Sequence, residues 1–191
     1  MGQTMRLWTI QTIEAWERCR STGVLAADGR RVPFYYRDAY RWLRQQAKSR
    51  LADYSGRPFV WAWSHPKPDL RCVAHLPKGQ QGVRIEFIVP ADRILCSDFD
   101  AWHCVLNQGY LALSEEEDDA WDRSLKAHGL EWQWQFLPPV ERREMEKSWE
   151  RIFDLEALNA SSWTGPVTHI QAVLERVFLQ EVVRVDHFVA R

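Results

Sequence analysis

Val83-Arg84-Ile85-Glu86-Phe87-Ile88-Val89 is the stretch on which the fold turns. Val83, Ile85, Phe87 and Val89 fall on one side of an extended chain while Arg84 and Glu86 fall on the other, and Pro90 stops the pattern. Strict alternation of this kind marks a β-strand with one face in an apolar core. Upstream, Arg6 to Ile10 alternates in the same way, and Phe59 to Trp63 forms a third extended run ahead of the Pro66/Pro68 pair. Downstream, Ile94 to Cys96, Ile170 to Val177 and Val182 to Val189 predict further strands.

Helical periodicity fills the gaps. Thr12 is placed to cap a helix in which Ile13, Trp16 and Cys19 recur on one side, with Gly23 as its terminator. A second helix is expected from an Asp38 cap to Leu51, facing inward with Ala39, Leu43, Ala47 and Leu51 and with Trp42 alongside. Ser97 or Asp98 caps a third, whose Trp102, Leu106, Tyr110 and Leu113 form a stripe. Ser114 to Glu117 reads as a capping box, and Gly129 ends the helix it opens. Leu130, Trp132, Trp134 and Phe136 alternate as an edge strand, and Pro139 starts a last helix carrying Met145, Trp149, Ile152 and Phe153 inward. Strands and helices do not alternate regularly. The expectation is therefore an α+β fold, a single domain over residues 1–191 with a mixed sheet and several helices.

Composition narrows the function classes. Eleven Trp, eight Phe and five Tyr supply large rings for a core or for stacking on a planar ligand. A net charge of −1 leaves no basic excess to displace counterions, so non-specific nucleic-acid binding is not expected. Cys19, Cys72, Cys96 and Cys104 show no paired spacing and the histidines are scattered, so no metal site is predicted. The polar opening and the lack of a long apolar run predict a cytoplasmic chain without a membrane span.

The catalytic motifs of hydrolases, P-loop enzymes, dinucleotide folds and zinc proteases are missing, and His103 beside Cys104 is not a helical pair. Three polar groups stand out instead. Thr9 and Gln11 end the first strand; Lys67, Asp69 and Arg71 sit in a proline-stiffened loop; Asp98, Trp102, His103 and Asn107 flank the third helix. Gln171 interrupts an apolar strand.

Arg6-Leu-Trp-Thr-Ile-Gln11, Trp61-Ala-Trp63, Lys67-Pro-Asp-Leu-Arg71, Val83-Arg-Ile-Glu-Phe87 and Ser97-Asp-Phe-Asp-Ala-Trp-His103 together resemble a bacterial family described as domain of unknown function 3841. Ser148 to Asp154, Ile170 to Ala172 and Val183 to Phe188 fit it too, so the resemblance spans nearly the whole chain. The opening strand, helix and Gly23-Val24-Leu25 also look like the start of ADP-ribosyltransferases of the DNA-modifying toxin type and of tRNA 2′-phosphotransferases. That likeness implies a nucleotide- or NAD-binding domain of ADP-ribosyltransferase-like architecture, an enzyme acting on nucleic acid or protein in its catalytic form. It implies that Thr9 and Gln11 orient NAD, that Arg37 meets phosphate, that Trp102 and His103 border the ligand, and that Gln171 takes the place usually held by a glutamate. Glutamine offers no negative charge to a developing cation, and Glu175 and Glu86 are the nearby acids. The alternative is a non-catalytic interaction protein of a bacterial stress or conflict system, its aromatic residues serving as interface anchors for a protein partner.

Overall fold

The computed structural model describes residues 2–65, 76–131 and 136–191, apart from the side chains of Arg31 and His65. Its contacts resolve into two units. One comprises Met1–Pro33, Arg44–Cys96 and Ile170–Arg191; the other comprises Phe34–Leu43 and Ser97–His169.

The first unit is built on strands. In chain order they are β1 (Thr4–Thr12), β2 (Val24–Ala26), β3 (Val60–His65), β4 (Gln81–Pro90), β5 (Leu95–Asp98), β6 (Ile170–Leu174), β7 (Arg176–Phe178) and β8 (Val182–Val189). Six of them form a sheet in the order β5-β6-β3-β1-β4-β8, and β2 pairs with β7 in a separate ribbon. The α+β class read from the sequence holds. The order of elements suggested a mixed sheet; the five pairs with described registers are all antiparallel.

The alternation of β4 does what it predicts: Val83, Ile85, Phe87 and Val89 are all fully buried. Leu7 of β1 lies directly opposite Phe87 and joins the same core, as do Val60, Ala62, Ala172 and Leu174. Helix α1 (Ile13–Thr22) lays Trp16 and Cys19 on this core. It begins where Thr12 Oγ1 accepts from Ala15 N at 3.2 Å, and ends at Gly23, whose φ of 78° suits a residue without Cβ.

Helix α2 (Arg37–Arg50) starts two residues earlier than the Asp38 cap implies. Asp38 is thus inside the first turn rather than at the cap, and its carboxylate accepts from Arg41 at 2.8 Å. Ala39, Trp42, Leu43 and Ala47 are buried as the periodicity requires.

Helices make up most of the second unit: α3 (Phe99–Leu106), α4 (Glu115–Ala127), α5 (Pro139–Ser148) and α6 (Leu155–Ala160), with a 3-10 stretch at Trp149–Phe153. The stripe predicted through Tyr110 and Leu113 is broken. Asn107 caps α3, and Gln108 follows at a φ of 56°, so the chain leaves the helix after Leu106. Ser114 caps α4 through Glu117 N, but Glu117 does not close the box. Its carboxylate instead accepts from Leu113 N, the Tyr110 hydroxyl and Arg151. Burial raises the Glu117 pKa, and the Arg151, Leu113 and Tyr110 hydrogen bonds outweigh it and hold the group below the ordinary range. The edge strand expected over Leu130 to Phe136 falls largely on 132–135, outside the described residues.

Asp98 caps α3, its Oδ1 accepting from Ala101 N at 2.7 Å. Burial pushes its carboxyl above the usual aspartate range despite that bond. The ionised form is therefore less favoured in the fold than in the unfolded chain, and stability attributable to this group rises as pH falls through its raised pKa. Asp98→Ala should lose about 1 kcal/mol in urea unfolding at neutral pH, the scale of a missing cap, whereas Asp98→Asn keeps the acceptor and should lose less. Equal losses in the two variants would show that the charge, not the acceptor, matters.

Candidate functional site

β1 is laddered to β4 along its whole length, from Thr4↔Pro90 to Thr12↔Gly82. Its described register with β3 is the single pair Trp8↔Trp63. Past that pair, towards Gln11, the backbone ladder gives way to side chains. Thr9 Oγ1 donates to the Trp61 carbonyl at 2.7 Å, and Gln11 Nε2 donates to Thr9 Oγ1 at 2.8 Å. A cleft of about 250 Å³ lies here. Thr9, Ile10 and Gln11 line it from β1, and Phe59 with Val60 to Trp63 line it from β3 and the residue before it. Ala26, Ala27 and Gln171 complete the described lining.

The lining combines both faces of the sheet. Thr9 and Gln11 share the face of Leu7, while Gln171 lies directly opposite Trp63, itself opposite Trp8 on the other face. That mixture is what an opening between parted strands produces. Every described lining residue is uncharged. The volume suits one ring system rather than a whole dinucleotide.

Gln171 is the buried amide of the lining. It is 5% exposed, and its Nε2 has no hydrogen-bond partner among the described residues. A buried amide donor normally finds a partner, because leaving it unmade costs about 1–3 kcal/mol.

Of the residues singled out in the sequence, the structure gathers Thr9, Gln11 and Gln171 into this cleft. The others are placed elsewhere. Arg37 is exposed at the start of α2 in the second unit and is not in the lining. Trp102 is buried there with Tyr40 edge-on at 5.6 Å, and His103 is exposed, its Nδ1 2.9 Å from Phe99 O. Asn107 is a helix cap. Cys104 is no nucleophile in waiting, since burial, then the Asp118 charge, push its thiol up to about 11. Glu86 pairs with Arg6, and Glu175 Oε1 accepts from Ser55 N, Ser55 Oγ and Arg57 N. Lys67, Asp69 and Arg71 lie outside the described residues.

Three further features have no signal in the sequence. Phe59 and Trp61 form cleft wall, although their run looked like an ordinary core strand. A second cleft of about 310 Å³ in the same unit brings Arg93 and Arg176 over the ring of Phe178, at 5.2 and 5.8 Å. No linear motif joins those two arginines. In the second unit, exposed Phe34, Tyr35 and Phe136 border a groove of about 800 Å³.

A family model described as a domain of unknown function, DUF3841, matches residues 6–182. The chain belongs to the DUF3841 family. Every residue of the described cleft lining lies within the DUF3841 match. No curated protein matches the chain, and no solved structure does. The likeness of this DUF3841 chain to ADP-ribosyltransferases therefore finds no support in known folds.

Proposed function

We propose that the chain is a small-molecule-binding protein whose inter-strand cleft takes the uncharged planar head of a nucleotide-type ligand, a nucleobase or the nicotinamide of NAD. The observation that carries this reading is Gln171, a buried amide donor aligned with Trp63 across the ladder and lacking a partner among the described residues. A ligand acceptor would supply that partner. Phe59, Trp61 and Trp63 give the cleft aromatic walls, and stacking on such rings contributes about 1–3 kcal/mol per base in proteins that use it.

Binding rather than transfer is the better-supported activity. Breaking a glycosidic bond through a cationic transition state calls for a carboxylate at the reacting centre, and none is among the described lining residues. Glu175, the acid nearest in sequence to Gln171, spends one oxygen on three donors. Those bonds, with Arg176, overcome the upward push of burial and keep its pKa below the ordinary range.

Isothermal titration and thermal unfolding with NAD, adenosine and nicotinamide test the proposal. Saturation at a hundred times Kd should stabilise the native chain by about 2.7 kcal/mol. Flat titrations and unchanged melting temperatures with all three at millimolar concentration would rule it out.

A further inference from the structure

We infer that the cleft reads a hydrogen-bond donor on its ligand, and so selects a carboxamide over the matching carboxylic acid, or an amino-heterocycle over the matching oxo compound. The inference rests on the binding reading above and adds the chemical class that the site accepts.

Protons run in one direction along a relay of Gln11, Thr9 and Trp61. A carbonyl oxygen only accepts, so the Thr9 hydroxyl, 2.7 Å from Trp61 O, commits its single proton there. What remains of Thr9 Oγ1 is acceptor. Gln11, whose amide lies 2.8 Å from that oxygen, can therefore present only its NH2 end. Amide orientation is usually a matter of assignment; here the chemistry of the carbonyl fixes it two bonds away. Gln11 Oε1 is thereby turned from the relay. It has no partner among the described residues, and the residue lines the cleft.

Gln171 is not constrained in this way. Its Nε2 is buried without a hydrogen-bond partner among the described residues. Gln11 thus offers a fixed acceptor, and Gln171, across β3 and on the other face of the sheet, a separate donor. The complement of the Gln11 acceptor is an N–H donor, as in a primary carboxamide or the amino group of adenine. A carboxylate meets Gln11 Oε1 with oxygen against oxygen. No charged side chain among the described lining residues offsets the cost of desolvating it.

Two matched pairs of probes test this by titration against the whole chain: NAD with nicotinic acid adenine dinucleotide, and adenosine with inosine. In at least one pair the amide or amino member should bind about tenfold tighter or more, the consequence of leaving a polar pair unmade. Thr9→Val removes the relay and should bring that ratio down toward one, while Thr9→Ser restores the hydroxyl and should keep it. Equal affinities within both pairs, preference for the acid or oxo member, or a ratio unmoved by Thr9→Val would overturn the inference while leaving the binding reading standing. Failure of all four probes to bind would remove the binding reading, and this inference with it.

Discussion

Gln171→Leu should make the ligand-free chain more stable and its ligand complex weaker. Leucine fills much the same space as glutamine and carries no buried donor to satisfy, so the fold sheds the cost of an unmade hydrogen bond. A gain on the order of 1 kcal/mol is expected, which for a chain of this size raises the melting temperature by about 2–4 °C. The same change removes the donor offered to the ligand, and affinity should fall about tenfold or more. Calorimetric melting and titration on one preparation read both effects. The opposed signs are the signature. A variant that melts lower and binds as well as the parent would mark Gln171 as a structural amide and sink the proposed site.

A larger loss of stability is expected in the second unit. Trp149 is fully buried; its indole Nε1 donates to Gly109 O at 2.6 Å, and Trp42 meets it edge-on at 5.4 Å. Arg142 lies 5.8 Å from the ring centre. Trp149→Ala leaves a cavity and an unpartnered carbonyl at once, and should cost about 3–5 kcal/mol. Trp149→Phe keeps most of the packing and loses the donor, so a cost of about 1–2 kcal/mol is expected. Urea unfolding separates the two. If the phenylalanine variant lost as much as the alanine one, the hydrogen bond rather than the ring would be the dominant contribution.

What the sequence disclosed and what it hid follow from the range of the interactions involved. The alternation in Val83 to Val89 and the Thr12 and Gly23 signals concern neighbours a few residues apart, and each appears in the structure as read. The stripe running through Trp102, Leu106, Tyr110 and Leu113 also looked local. Periodicity counts residues, however, and cannot register a single left-handed turn at Gln108 that takes the chain out of its helix. The run Ile170 to Val177 was legible as extended but not as interrupted. Its break lies at Glu175, whose carboxylate is drawn to the amides of Ser55 and Arg57 from 120 and 118 positions away.

The site divides along the same line. Thr9, Gln11 and Gln171 announce themselves as polar residues inside apolar strands, and strand pairing gathers them. The resemblance points to Arg37 as the arginine that follows the opening strand and helix. Adjacency in sequence does not carry a residue into a cleft formed by β1, β3 and β6, and Arg37 belongs to the second unit.

The break at Glu175 has a bearing on how this protein can change. On one side of it, β6 is in register with β3, putting Gln171 across from Trp63; on the other, β7 is in register with β2, putting Val177 across from Leu25. Inserting or deleting one residue between Gln171 and Val177 leaves at most one of these registers intact, because a slip of one position exchanges the two faces of a strand. Either Gln171 turns away from the face of Trp63, or Val177 swings out of the core and Glu175 parts from Ser55 and Arg57. Length is thus as tightly specified here as residue type, and the segment can drift by substitution but not by indels.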